Sequence, residues 1–169
     1  TVQTTVGSVK HGGEVLAINT VTFTIDGTTI LEHSEQPDTS NSAKGVPNYL
    51  GAAAISPDGQ SAWVPSKQVN IKRGTLRNGG VLTHDMSVRS IASRIVLTTG
   101  AEDTAGRIDF DNAGIASASA FDPNGNFLFT ALEGSREIAV SDVWAKQEIL
   151  RFDAGRAPQG LALSPDGRT

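Results

Sequence analysis

The sequence predicts an all-β fold, and three observations lead to that prediction. Val, Ile and Thr are frequent, whereas Leu, Glu and Lys at helical spacing are scarce. Short apolar runs recur between turn signals along the whole chain, as expected for many short strands. One turn sequence of the Pro-Asp-Gly type occurs three times, at residues 56–59, 122–125 and 164–167. Strands and turns at this pace leave no room for a long helix.

The three turns also establish a repeat. In each copy proline fixes the first corner, Asp or Asn bonds back to the backbone, and glycine takes the positive φ that closes a hairpin. The offset from Pro123 to Pro165 is also the offset from Phe110 to Phe152. It amounts to about 42 residues, and a period of that length with four strands per unit is typical of a β-propeller blade.

The first half of the chain is predicted to hold two blades of a single partial β-propeller domain over residues 1–169. Blade one covers 15–35, with outer strands at 21–26 and 28–33 and a further candidate strand at 15–18. Blade two covers 49–111. Its turn at Pro57 lies one and a half periods before the next turn, so this blade is longer than the repeat unit. Most of the excess is a Gly- and basic-rich stretch at 65–88, which we interpret as a loop insertion.

The second half continues the pattern. Blade three covers 115–153, and residues 160–164 are predicted to form the inner strand of a further blade. About three blade equivalents are fewer than the roughly four to eight that close a ring. We therefore expect a partial propeller, or one that is closed by assembly.

Composition excludes several function classes. The chain has 169 residues, with 14 Lys and Arg against 18 Asp and Glu, so its formal net charge is −4. A mildly acidic chain is poorly suited to gripping nucleic acid, and no apolar run reaches the length of a membrane span. It contains no cysteine, which excludes disulfides, thiolate catalysis and covalent haem attachment. No cofactor is expected.

The C-terminal third resembles a known repeat. Within residues 120–169, the segments 135–140, 155–160 and 161–167 look like the YVTN-type β-propeller repeat of exported bacterial and archaeal proteins. A narrower resemblance, carried by 46–51, 63–68 and 111–113, is to the propeller portion of large bacterial proteins that also carry a c-type cytochrome module related to dihaem peroxidases. The resemblance implies a periplasmic or secreted protein and makes such a cytochrome module a candidate partner. The haem-binding motif itself is absent here, so the family's enzymatic activity is not carried over.

Loop parity gives the candidate binding residues. The three short turns fall on one face of the blades, and the long segments at 34–47 and 65–88 fall on the other. Long loops on a rigid scaffold are where binding residues concentrate. The insertion is rich in basic residues and predicts a positive patch for an anionic partner surface. The candidate ligand- or partner-binding residues are Asn48, Tyr49, Lys67, Gln68, Arg73, Arg77, Asn112, Arg156 and Gln159.

Three hypotheses for function remain open at this point. The first is a non-catalytic binding or scaffolding module of an exported, redox-associated protein. The second is a lactonase- or hydrolase-like enzyme with a metal at the channel mouth, held by residues such as Asp111 and Asn112. The third is a self-assembling half-propeller, whose partner is a second copy of itself rather than another protein surface. No catalytic residue is assigned, and His11, His33 and His84 lack metal-ligand spacing.

Overall fold

The computed structural model of the chain describes residues 11–71 and 87–169, and for His11 the backbone only. In these ranges the protein is all-β, with eleven strands arranged in three antiparallel sheets. The predicted fold class is therefore confirmed at the level of an all-β protein.

The first sheet is a hairpin of β1 (His11–Ile18) and β2 (Ile25–Glu32). The strand predicted at 21–26 is wrong, because its first four residues lie in the turn between these strands. The Asn19 side-chain oxygen accepts hydrogen bonds from the backbone N–H groups of Val21 (2.9 Å) and Thr22 (3.0 Å), and Phe23 has a φ of 58°. An Asn side chain that bonds to the backbone two or three residues on favours a turn over a strand. The candidate strand at 15–18 is confirmed as part of β1, and residues 28–32 of the strand predicted at 28–33 lie in β2.

The middle sheet contains five strands: β3 (Val46–Asn48), β4 (Ala54–Ile55), β5 (Ser61–Val69), β6 (Val88–Val96) and β7 (Ala101–Phe110). Its order is β3-β5-β6-β7, and β4 also pairs with β5. Residues 65–69 continue β5 and Val88 begins β6, so the connection between these strands is shorter than the predicted insertion. Residues 72–86 of that insertion lie outside the described residues.

The C-terminal sheet has the order predicted for a blade. It consists of β8 (Ala116–Phe121), β9 (Phe127–Leu132), β10 (Glu137–Asp142) and β11 (Gln147–Asp153), each paired with the next. Residues 154–169 contain no strand, so the inner strand predicted at 160–164 is not formed. A strand needs a neighbour to pair with, and the backbone hydrogen bonds made within residues 160–169 are those of the closing turn, such as the one that Gly167 N–H donates to the Ser164 carbonyl.

Both faces of the middle sheet are buried. Ala62 and Val64 pack with Leu31 of the hairpin and Ile95 of β6. Trp63, on the opposite face of β5, belongs to a second cluster between the middle and C-terminal sheets. That cluster contains Trp63, Ala92, Ile108, Phe110, Ala113, Ala116, Leu128, Leu132 and Ala139.

The three repeated turns are packed in succession. All three terminal glycines have the predicted positive φ, between 66° and 73°. A Cβ on Gly125 would lie 3.1 Å from Pro57 Cδ, and one on Gly167 would lie 3.0 Å from Pro123 Cδ. The second and third turns therefore each place their glycine against the proline of the preceding turn.

Candidate functional site

Three of the predicted binding residues lie together beside β3 and β5. Asn48 pairs with Lys67 across these strands, and Tyr49 follows Asn48 with a φ of 49°. The Lys67 ammonium lies 5.2 Å from the centroid of the exposed Tyr49 ring, within the range of a cation–π contact. Asn48 itself is buried, and its side-chain oxygen has no hydrogen-bond partner.

Gln68 is placed differently from the prediction. Its side chain is buried, donating from Nε2 to the Ala43 carbonyl (2.9 Å) and accepting at Oε1 from Arg107 (2.8 Å). Both ends of the amide are thus engaged within the protein. Gln68 ties β5 to the loop at residues 34–45.

The other predicted residues are spread over the C-terminal half. Asn112 follows β7 with a φ of 50°. Arg156 is exposed in the segment after β11, and the Gln159 amide donates to Glu133 (3.0 Å). Arg73 and Arg77 lie outside the described residues.

Sequence reasoning missed a buried network around Arg107. Its guanidinium donates to the Glu102 carboxylate (2.8 Å), to Gln68 Oε1 (2.8 Å) and to the Glu32 carbonyl (2.6 Å). The Arg107 and Glu102 side chains are both almost fully buried. The only sequence signal was a pair of opposite charges within the single strand β7.

A second buried arginine holds the 34–45 loop, whose ends are joined by a backbone bridge between Ser34 and Gly45. Arg89 lies on β6 and donates to the carbonyls of Thr39, Ser40 and Ser42. Backbone carbonyls normally face water in a loop, so a buried guanidinium that collects three of them fixes the loop against the sheet.

Two carboxylates of β7 and its end face this arginine. Asp109 lies 3.3 Å from Arg89 Nε, and Asp111 lies 3.2 Å from Arg89 Nη2. Burial raises the pKa of Asp109 to about 7, although Arg89 and Arg107 act in the opposite direction. The Asp109 side chain is only 6% exposed, and its buried Oδ1 has no hydrogen-bond partner, because the contact with Arg89 is an ion pair without hydrogen-bond geometry.

Asp109 separates two cavities beneath the 34–45 loop. The larger, of about 280 Å³, lies toward β11 and is lined by Ser40, Asn41, Asp109, Asp111, Glu148, Ile149, Leu150 and Arg151. The smaller, of about 130 Å³, is lined by Ser34, Gln36, Asn41, Ser42, Thr104, Ala105, Arg107 and Asp109. Asp109 and Asn41 border both. We call the larger one the Asp109 cleft.

The enzymatic hypothesis placed a metal ion at Asp111 and Asn112, but the contacts of Asp111 are with arginines. Asp111 accepts from Arg89 through its side chain and from Arg151 through its backbone carbonyl (2.6 Å). In residues 11–71 and 87–169, no three His, Asp or Glu side chains are grouped as metal ligands. Nor does the described part of the chain contain a helix long and apolar enough to cross a membrane.

Comparison with solved structures finds a similar fold in hydrazine synthase of Kuenenia stuttgartiensis. The TM-score is 0.56 over 89% of this chain, at 13% sequence identity, and the match covers 59% of that chain. At this identity the similarity concerns the fold alone. The sequence matches no protein-family model and no curated protein, so the resemblance to the YVTN-type repeat has no support from family comparison.

Proposed function

We propose that the chain is a non-catalytic β-propeller segment that acts as a binding or scaffolding module by packing further β-sheets against its two end faces. The observation that carries the proposal is that residues buried between two sheets have counterparts on the C-terminal sheet that are exposed. The exported, redox-associated setting rests on the sequence resemblance alone.

Two aromatic residues, Trp63 and Phe129, occupy equivalent positions in the sequence repeat. Trp63 lies six residues after Pro57, and Phe129 lies six residues after Pro123, the same corner of the next turn. Trp63 is fully buried against the C-terminal sheet, whereas Phe129 is only partly buried. The C-terminal sheet thus presents outward a residue of the kind that the middle sheet buries.

The outer strand repeats the contrast. Phe110 is fully buried between the sheets, but its repeat partner Phe152 is 47% exposed, and Leu150 beside it is 49% exposed. Val140 of β10 pairs with both Phe129 and Leu150, so these side chains share one face. We call Phe129, Leu150 and Phe152 the C-terminal end face.

The hairpin forms the opposite end. Its β2 strand buries Leu31 toward the middle sheet, while Leu16, Ile18, Ile25 and Ile30 are exposed. Clustered exposed apolar residues at a sheet surface mark interaction sites. The protein therefore offers an apolar sheet face at each end.

A sheet of the same repeat type fits these faces best. The middle sheet already packs one neighbour on each side, and the proline-to-glycine contacts between successive turns set a regular spacing that a further sheet can continue. A second copy of the chain has such a sheet at each of its two ends. We therefore take a second copy as the partner that covers the end faces.

The test is sedimentation equilibrium across a concentration series. We expect the chain to associate and Leu150→Glu to weaken that association, because a charge placed in a packed apolar interface is desolvated without a partner. Leu97→Glu is the matched control, since Leu97 is similarly exposed at 41% but lies at the end of β6. A chain that remains monomeric at every concentration, or one whose association is weakened equally by both variants, would contradict the proposal.

A further inference from the structure

The Asp109 cleft has hydrogen-bond acceptors to spare and few free donors. Arg89 donates four hydrogen bonds from its two Nη atoms, three to loop carbonyls and one to Asp111, and its Nε–H lies in ion-pair contact with Asp109 without hydrogen-bond geometry. Arg151 donates to Glu148 through Nε and Nη2, to Glu137 (3.4 Å) and to the Asp111 carbonyl. The cations of this region are therefore already committed to the protein.

The carboxylates are not equally satisfied. Asp109 borders the cleft with a side chain that is nine-tenths buried and whose Oδ1 accepts no hydrogen bond. Asp111 uses one oxygen for Arg89 and is 42% exposed. Both aspartates thus face Arg89 through Oδ1, and it is their Oδ2 atoms that remain as acceptors for the cleft.

The charge balance points the same way. Three carboxyl groups, those of Asp109, Asp111 and Glu148, line the cleft. Together with Glu137 they share two arginines: Arg89 contacts Asp109 and Asp111, and Arg151 contacts Glu137 and Glu148. A ligand that suits such a site must bring positive charge and several N–H donors. Ile149 adds an apolar wall for an aliphatic stem.

We propose that the Asp109 cleft binds a compact organic cation, a primary ammonium or guanidinium group, held between Asp109 and Asp111. Ammonium carries three donors and guanidinium five, and neither carries an acceptor, which matches the unequal donor and acceptor supply of the cleft. A metal ion fits less well, because among the described side chains no three His, Asp or Glu residues are grouped to ligate one. Leu150 lines the cleft and also belongs to the C-terminal end face, but the proposal uses the carboxylates of the cleft and does not rest on the association proposed for that face.

The experiment uses agmatine, which carries both cationic groups, titrated calorimetrically into the intact chain at fixed ionic strength. Asp111→Asn keeps an oxygen for Arg89 but removes the charge, so we expect roughly tenfold weaker binding from the lost charge-assisted hydrogen bond. Asp26→Asn makes the same chemical change on an exposed part of the hairpin and should leave binding unchanged. Equal affinity in the two variants would overturn the proposal.

A second variant covers the case in which Asp111→Asn does not fold. Asn41 is an exposed residue of the cleft rim, and Asn41→Lys places a tethered ammonium at the opening, which should compete with agmatine and reduce its binding at least tenfold. Unchanged agmatine binding to Asn41→Lys would also overturn the proposal. So would saturable binding of calcium to the wild-type protein that prevents agmatine from binding.

One further ligand, a blocked Gly-Arg-Gly peptide, distinguishes the sources of the cation. Stronger binding of agmatine than of a blocked Gly-Arg-Gly peptide supports a free small molecule as the ligand, and the reverse order supports an arginine or lysine side chain of a partner protein. Either order supports the cationic site, whereas no binding of both ligands contradicts it.

Discussion

Replacing Phe110 by alanine should destabilise the protein far more than the same replacement at Phe152. The two residues match in the sequence repeat, yet Phe110 is fully buried between two sheets and Phe152 is half exposed. A fully buried Phe→Ala change costs about 3–5 kcal/mol, since it removes the transfer free energy and leaves a cavity. A half-exposed phenylalanine has no closed cavity to leave and loses about 1 kcal/mol.

Urea denaturation at low protein concentration measures the difference. With a slope of about 2 kcal/mol per molar urea, Phe110→Ala should lower the midpoint by about 2 M and Phe152→Ala by about 0.5 M. Low concentration keeps any association through the C-terminal end face from stabilising the wild type. Equal shifts for both variants would mean that the two faces are packed alike, and the argument for an open end face would fail.

Three more predictions concern the interior. Because burial raises the pKa of Asp109 from 3.8 to about 7, the folded state keeps a proton there that the unfolded state releases, so the free energy of unfolding should fall by up to about 4 kcal/mol as pH rises from about 4 to about 7. In Asp109→Asn this fall in the free energy of unfolding between about pH 4 and about pH 7 should vanish. If urea titrations gave wild type and Asp109→Asn parallel pH profiles, the raised pKa of Asp109 would be refuted. Arg107→Met should cost about 3–5 kcal/mol in the same denaturation assay, since it leaves a buried carboxylate unpaired, and a loss below about 1 kcal/mol would contradict this. Gly114→Ala should lower the midpoint of thermal unfolding, because the new Cβ would overlap the Gly134 backbone. Gly160→Ala is the control and should leave the midpoint unchanged, since there is open space around Gly160. Equal midpoints for the two variants would count against close packing of Gly114 and Gly134.

The predictable part of the fold was local. Short apolar runs such as Ala62–Val64 and the three turns determine strands and hairpins through backbone and side-chain preferences that act within a few residues. Residues 115–153, predicted as a four-stranded unit, form the four-stranded C-terminal sheet, because its strands follow one another through short turns. The hairpin was misplaced at 21–26, since the Asn19 side chain overrode the strand preference of Val21 and its neighbours.

The candidate site depended on contacts that the sequence does not display. The loop-parity argument predicted Asn48, Tyr49 and Lys67 as one group, and in the structure they lie together because β3 pairs with β5. Arg89 and Asp109 could not be recognised as partners, because they meet only when β6 and β7 pair and the 34–45 loop folds over them. Long-range burial of charge is a property of the tertiary structure, and residue spacing carries little information about it.

Pro57 packs against Gly125, and Pro123 packs against Gly167. Because of these contacts, the spacing of the sheets does not depend on the length of the chain between the turns. The first interval is half as long again as the second, yet the same atoms meet at both. The connection between β5 and β6 lies within the longer interval, whose extra length therefore leaves the contact between the neighbouring turns unchanged. Sequence added at that connection, including a whole guest domain, would leave the register of the sheets intact, which makes it the natural point for grafting a new specificity onto this scaffold.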